Sequence, residues 1–172
     1  MAKKTQIIMI AMITALLAFA MTGCAGKPGS AAPGADQIAN PWQYEVSSDD
    51  IQQMVNETFH VPDGAEDVVY GIMESQKLAE VQFEEDGISY CARMEPADEY
   101  TDISGLYYTW DVDTDDHVSD MDATYRRSIN EDACIDNILF YDANKKMMYS
   151  ISATAPDLDG FDLIAVAQEV FQ

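Results

Sequence analysis

Lys77–Met94 reads KLAEVQFEEDGISYCARM, two runs of alternating apolar and polar residues around Asp86-Gly87. A period of two marks strands with one face buried. Asp-Gly is a strong signal for a two-residue hairpin turn, because both central positions of that turn need positive φ. Folding the runs across it sets Phe83 opposite Tyr90, Val81 opposite Ala92 and Ala79 opposite Met94. All six are apolar and on one face, and a slip of one residue would scatter them, so the register checks itself.

The same period extends on both sides. EDVVYGIM (66–73) precedes the hairpin as a strand, and SGLYYTWDV (104–112) follows it with Leu106, Tyr108, Trp110 and Val112 on one face. ATYRRSI (123–129) and NILFYDANKKMMYSISA (137–153) continue the pattern. A turn at Asn144-Lys145 pairs Phe140 with Tyr149 and Ile138 with Ile151.

Helical spacing brackets the strands. In EVSSDDIQQMVNETFHVPDG (45–64), Ser47 or Ser48 is a candidate cap, and Ile51, Met54, Val55 and Phe59 share a face before Val61-Pro62-Asp63-Gly64 ends the helix. In PDLDGFDLIAVAQEV (156–170), Leu163, Val166, Ala167 and Val170 form a second one-sided stripe. The expected fold is α+β: an antiparallel meander of about seven strands, with an N-terminal and a C-terminal helix packed on one face.

Upstream, the composition changes. Lys3 and Lys4 precede an apolar run from Ile7 to Met21, the layout of a secretory signal. Met21-Thr22-Gly23-Cys24 resembles the bacterial lipobox, in which the cysteine thiol is acylated before cleavage on its amino side. Cys24 is the expected lipidation site, with an uncleaved anchor or cleavage after Ala20 as the alternatives. Each buried acyl CH₂ contributes about 0.8 kcal/mol, and stable anchoring takes more than one chain. The domain plan is therefore a signal peptide at 1–23, a lipidated Cys24 with a Gly/Pro/Ala tether to 41, and one globular domain at 42–172. A flexible tether of this length spans roughly 20–25 Å.

The full chain holds 9 basic and 31 acidic side chains. Residues 1–23 contain two of the basic and none of the acidic ones, so the mature part stands at 7 against 31, a net charge of −24. Such a surface repels nucleic acid and anionic head groups and attracts cations and basic partners. Apart from Cys24 there are two cysteines, Cys91 and Cys134. Their strand parities differ, which favours two independent thiols, although an extracytoplasmic disulfide stays open.

Several phrases, NPW (40–42), VPDGAEDVVYGI (61–72), AEVQF (79–83) and DISGLYY (102–108), resemble an uncharacterised family of predicted lipoproteins from clostridia and related Gram-positive bacteria. Their extracytoplasmic domain is known only as a domain of unknown function, and relatives of it follow membrane spans in anti-sigma-factor-like proteins. The resemblance implies the outer face of a cell membrane. It implies no activity.

DVDTDDHVSDMD (111–122) echoes a calcium loop, with Asp111, Asp113, Asp115 and Asp122 as candidate metal ligands and calcium as the cation. Asp116 stands where that loop has glycine, and Asp122 is shorter than the usual terminal glutamate. The segment is expected as a loop between strands. Arg93, Arg126 and Arg127 are candidates for a carboxylate or phosphate site on the polar sheet face, unless neighbouring acids pair with them. Tyr107 is a candidate for an exposed binding face. His60 is expected at a helix C-terminus and His117 in the acidic loop. No G-x-S-x-G, H-E-x-x-H or C-x-x-C is present. The expected role is a non-enzymatic interaction module, held to the bilayer through Cys24 and facing an envelope protein. A cation- or ligand-responsive sensor is the alternative.

Overall fold

The computed structural model describes residues 40–172; the expected signal peptide, Cys24 and nearly all of the tether lie outside them. Seven antiparallel strands form one sheet: β1 (Glu66–Met73), β2 (Leu78–Glu85), β3 (Ile88–Pro96), β4 (Val112–Val118), β5 (Met121–Ile129), β6 (Cys134–Asp142) and β7 (Met147–Ala155). Two helices, α1 (Ser48–Val55) and α2 (Leu163–Val170), complete it. Among the described residues no helix is long and apolar enough to cross a membrane.

The Asp86-Gly87 hairpin has the expected register, Phe83↔Tyr90, Val81↔Ala92 and Ala79↔Met94. Both turn residues have positive φ, 51° and 78°, the twist that matches the flanking strands. Phe140↔Tyr149 and Ile138↔Ile151 are also observed pairs. Opposed rings stack within both hairpins, Phe83 on Tyr90 at 4.8 Å and Phe140 on Tyr149 at 4.9 Å between centroids.

The strand order is not a simple meander. It runs β1-β2-β3-β7-β6-β5-β4, so the last strand is inserted beside β3 and β4 forms the far edge. The segment between Pro96 and Val112 must therefore cross three strands to reach that edge. The expected strand 104–112 is instead part of this crossing, and the fourth strand begins only at Val112. Gly105 has φ 67°, and the Ser104 hydroxyl accepts from the Leu106 amide, local geometry that breaks extended pairing.

One sheet face carries the main core. Val81, Phe83, Tyr90, Ala92, Ile138, Phe140, Tyr149 and Ile151 are buried there with Ile51 and Val55 of α1 and Leu163, Ala167 and Val170 of α2. Ser47 and Asp50 form a capping box at the start of α1. That helix ends sooner than its sequence pattern implies, because Asn56 adopts the left-handed conformation at its C-cap. His60 is therefore not at a helix terminus; its backbone N–H donates to Val170 O at the end of α2. The opposite face holds a small apolar patch, Leu78, Ile103, Leu139 and Met148. Buried polar residues surround it, including Glu80, Asn137, Ser150 and Ser152.

Candidate functional site

The crossing segment 97–111 lies on this second face. A stretch of about fifteen residues without regular structure is uncommon in a compact domain and is usually functional or disordered. Here it is pinned along its length. Ala97 N–H donates to Lys146 O, and the Tyr141 hydroxyl donates to Ala97 O at 3.2 Å. The Tyr100 hydroxyl lies 2.9 Å from that of Thr124. Ile103 is buried against Leu78, Leu139 and Met148.

Two arginines fasten it to the sheet. Arg93 donates through Nε to Glu80 Oε2 at 2.7 Å and through Nη1 to Ser104 O at 2.7 Å and Ile103 O at 3.3 Å. The Trp42 ring covers its guanidinium at 5.3 Å. A Cβ on Gly105 would overlap that guanidinium, so glycine is needed there for space as well as for its φ. Arg126 Nη1 donates to Asp102 Oδ2 at 2.6 Å, while its Nε stands 3.7 Å from Asp113, too far to bond. Burial would raise Asp102, but hydrogen bonds from Ser104 and Arg126 outweigh it and hold that carboxyl below its ordinary value.

Arg127 points to the other face, as the residue after Arg126 must in a strand. It donates to Asp136 through Nε at 2.6 Å and Nη2 at 2.7 Å, and to Leu158 O at 2.9 Å. The three arginines thus do not form one site on the polar face, and each is paired with a carboxylate. The paired carboxylates, Glu80, Asp102 and Asp136, carried no sequence signal of their own. They were hidden among 31 acidic residues, and only the cross-strand register singles out Glu80↔Arg93 and Arg127↔Asp136.

The pinned segment presents aromatic rings. Tyr107 is 97% exposed, Tyr100 and Tyr108 are also exposed, and Tyr108 meets Trp110 edge-on at 5.9 Å. Between residues 103–107, Trp42 and the β1–β2 turn lies an open cleft of about 700 Å³. Glu95 lines it, half-buried, and burial raises its carboxyl above the ordinary value. Cys91, on the same sheet face, is pushed up to about 12 by burial first and by the Glu80 charge second. Cys91 and Cys134 are both free thiols.

The acidic segment 111–122 is a hairpin, not a loop: β4, a turn at Ser119-Asp120, and β5. Asp111 accepts from the Ile129 amide at 2.8 Å, Asp113 faces Arg126, and Asp115 pairs across the strands with Thr124. Asp122 lies 3.2 Å from His117 Nε2. Among the described residues no three His, Cys, Asp or Glu side chains are grouped to hold a metal ion. Alternate residues on a strand are about 6.5–7 Å apart, whereas oxygens sharing one calcium lie within about 5 Å of each other. Calcium is therefore expected to raise the melting temperature of residues 40–172 no more than magnesium does. A saturable, calcium-selective rise abolished by Asp113→Asn would restore these aspartates as a site, since occupancy at a hundredfold excess over Kd adds about 2.7 kcal/mol.

No protein-family profile, characterised protein or solved structure matches the chain.

Proposed function

We propose that the chain is a membrane-anchored extracytoplasmic lipoprotein, acylated at Cys24, whose domain is a non-enzymatic protein-interaction module at the cell envelope. The observation that carries this reading is the aromatic segment 97–111, which is ordered before any partner arrives. Tyr and Trp supply large contact areas with few rotatable bonds and dominate interface energetics. A segment already fixed by Arg93 and Arg126 loses little further entropy on docking. The net charge of −24 keeps the domain off anionic head groups, which leaves the aromatic face open to a protein.

The test is a photoreactive phenylalanine analogue placed at position 107 in the full-length protein in growing cells. A discrete crosslinked adduct is expected there, and none from the same analogue at Asp86, in the hairpin turn at the far end of β2. No adduct at 107, or identical adducts at both positions, would overturn the proposal.

A further inference from the structure

The ionised side chains lining the cleft are Arg93, Glu95 and Asp102. Two are fully engaged: Arg93 by Glu80 and two carbonyls, Asp102 by Arg126 and Ser104. Glu95 takes part in no ion pair among the described residues. The cleft therefore carries one uncompensated negative charge, half-buried, where burial already works against it. Beside it stand the apolar side chains of Met73, Leu78 and Leu106, with Gln76 and Tyr107 also lining the cleft.

An aliphatic wall next to an unpaired carboxylate matches a side chain that has a methylene stem and a cationic end. An anion finds no free cation here, because the guanidinium of Arg93 is committed. A neutral apolar group would leave Glu95 desolvated and unpaired, which is costly. We propose that the cleft receives a lysine or arginine side chain from a basic segment of the partner protein, its stem against Met73, Leu78 and Leu106 and its charge on Glu95. This rests on the interaction reading above and names the chemistry of the partner. The acidic surface as a whole steers such a segment inward.

The probes are Ac-Gly-Gly-Lys-Gly-Gly-NH₂ and its Arg, Leu and Glu counterparts, titrated into the full-length ¹⁵N-labelled protein in detergent micelles. The Lys and Arg peptides are expected to give saturable amide shifts at residues 94–96 and 103–107. Glu95→Gln weakens them about tenfold, Asp86→Asn leaves them unchanged, and Glu95→Arg transfers the preference to the Glu peptide. Equal weakening by Glu95→Gln and Asp86→Asn would reduce the binding to diffuse charge and overturn the proposal. So would a Leu peptide as tight as Lys, or a Lys preference that survives Glu95→Arg. The crosslink at position 107 separates the two readings. If it persists undiminished in Glu95→Gln, the interaction module stands and the cationic specificity falls. If it is absent from the wild type, the interaction module itself falls.

Discussion

Replacing Arg127 with alanine is expected to lower the stability of the domain by about 3–5 kcal/mol, the range found when one member of a buried ion pair is removed. Asp136 is 0% exposed, and among the described residues Arg127 supplies its two short charged hydrogen bonds. Without the guanidinium a carboxylate is left in the core with no cation to offset its lost hydration, only the Tyr125 hydroxyl beside it. The 2.9 Å bond to Leu158 O goes too, loosening the approach to α2. With a urea dependence of about 1–3 kcal/mol per molar, the unfolding midpoint should fall by at least about 1 M. Because the pair is buried, added salt should not narrow the difference. The exposed Lys146–Asp98 pair, by contrast, should give no measurable shift when Lys146 becomes alanine. The double replacement Arg127→Met with Asp136→Leu supplies the control: it removes both charges and should recover most of the loss. If Arg127→Ala leaves the midpoint in place, the pair is not what stabilises that end of the sheet.

What could be read from the sequence followed from how local the determinants were. The Asp86-Gly87 hairpin and the β6–β7 hairpin each contain their turn and both strands within a short stretch, so alternation and turn chemistry together fixed the register. β1 is legible as the strand EDVVYGIM, but its register with β2 is not, since the pairing shifts between Glu66 and Val69. Nor is the strand order, because nothing local says that β7 should pair with β3. Segment 104–112 misled because aromatic residues at alternate positions serve equally well on a strand or on a loop lying against a sheet. The true fourth strand, VDTDDHV, has the composition of a loop. Aspartate is disfavoured in strands, yet charged residues suit an edge that must not pair further. Pairing along β5 overrides the propensity.

The candidate site was legible only in part. Arg93 and Arg126 stand out by type and scarcity and Tyr107 by its outward parity, and the structure places Arg93 and Tyr107 at the cleft and Arg126 behind it, holding Asp102. Glu95 carries no signal in the sequence, since it is one acid among many until the cleft shows that, of the charged side chains lining it, Glu95 alone has no ion-pair partner. Trp42, likewise, reaches the site only through the backbone pairing of Gln43 with Ile72, which lays the start of the domain along β1.

Arg93→Ala should match Arg127→Ala in magnitude, about 3–5 kcal/mol, but differ in consequence. It leaves Glu80, 1% exposed, with Gln82 as a donor at 2.5 Å and the Cys91 thiol beside it. It also frees the carbonyls of Ile103 and Ser104 and removes the cation from the face of Trp42. The fold at large is held from the other side of the sheet by the main core, so the segment 97–111 should loosen before the domain does. Hydrogen exchange is expected to accelerate more at residues 103–107 than in β2, β3 and β7, whose protection falls only as far as the global stability does. The double variant Glu80→Leu with Arg93→Leu separates the two effects. Stability should return to within about 1 kcal/mol of the wild type, because no buried charge is left unpaired. Protection of 103–107 and the crosslink from position 107 should not return, because no donor reaches the two carbonyls. Should both come back in the double variant, the segment would be ordered by Asp102, Arg126 and Ile103 without help. Arg93 would then be a counterion for Glu80 and nothing more. Should neither stability nor order return, Leu at these two positions would have failed to fill the space under Trp42, and packing would outweigh charge at this site.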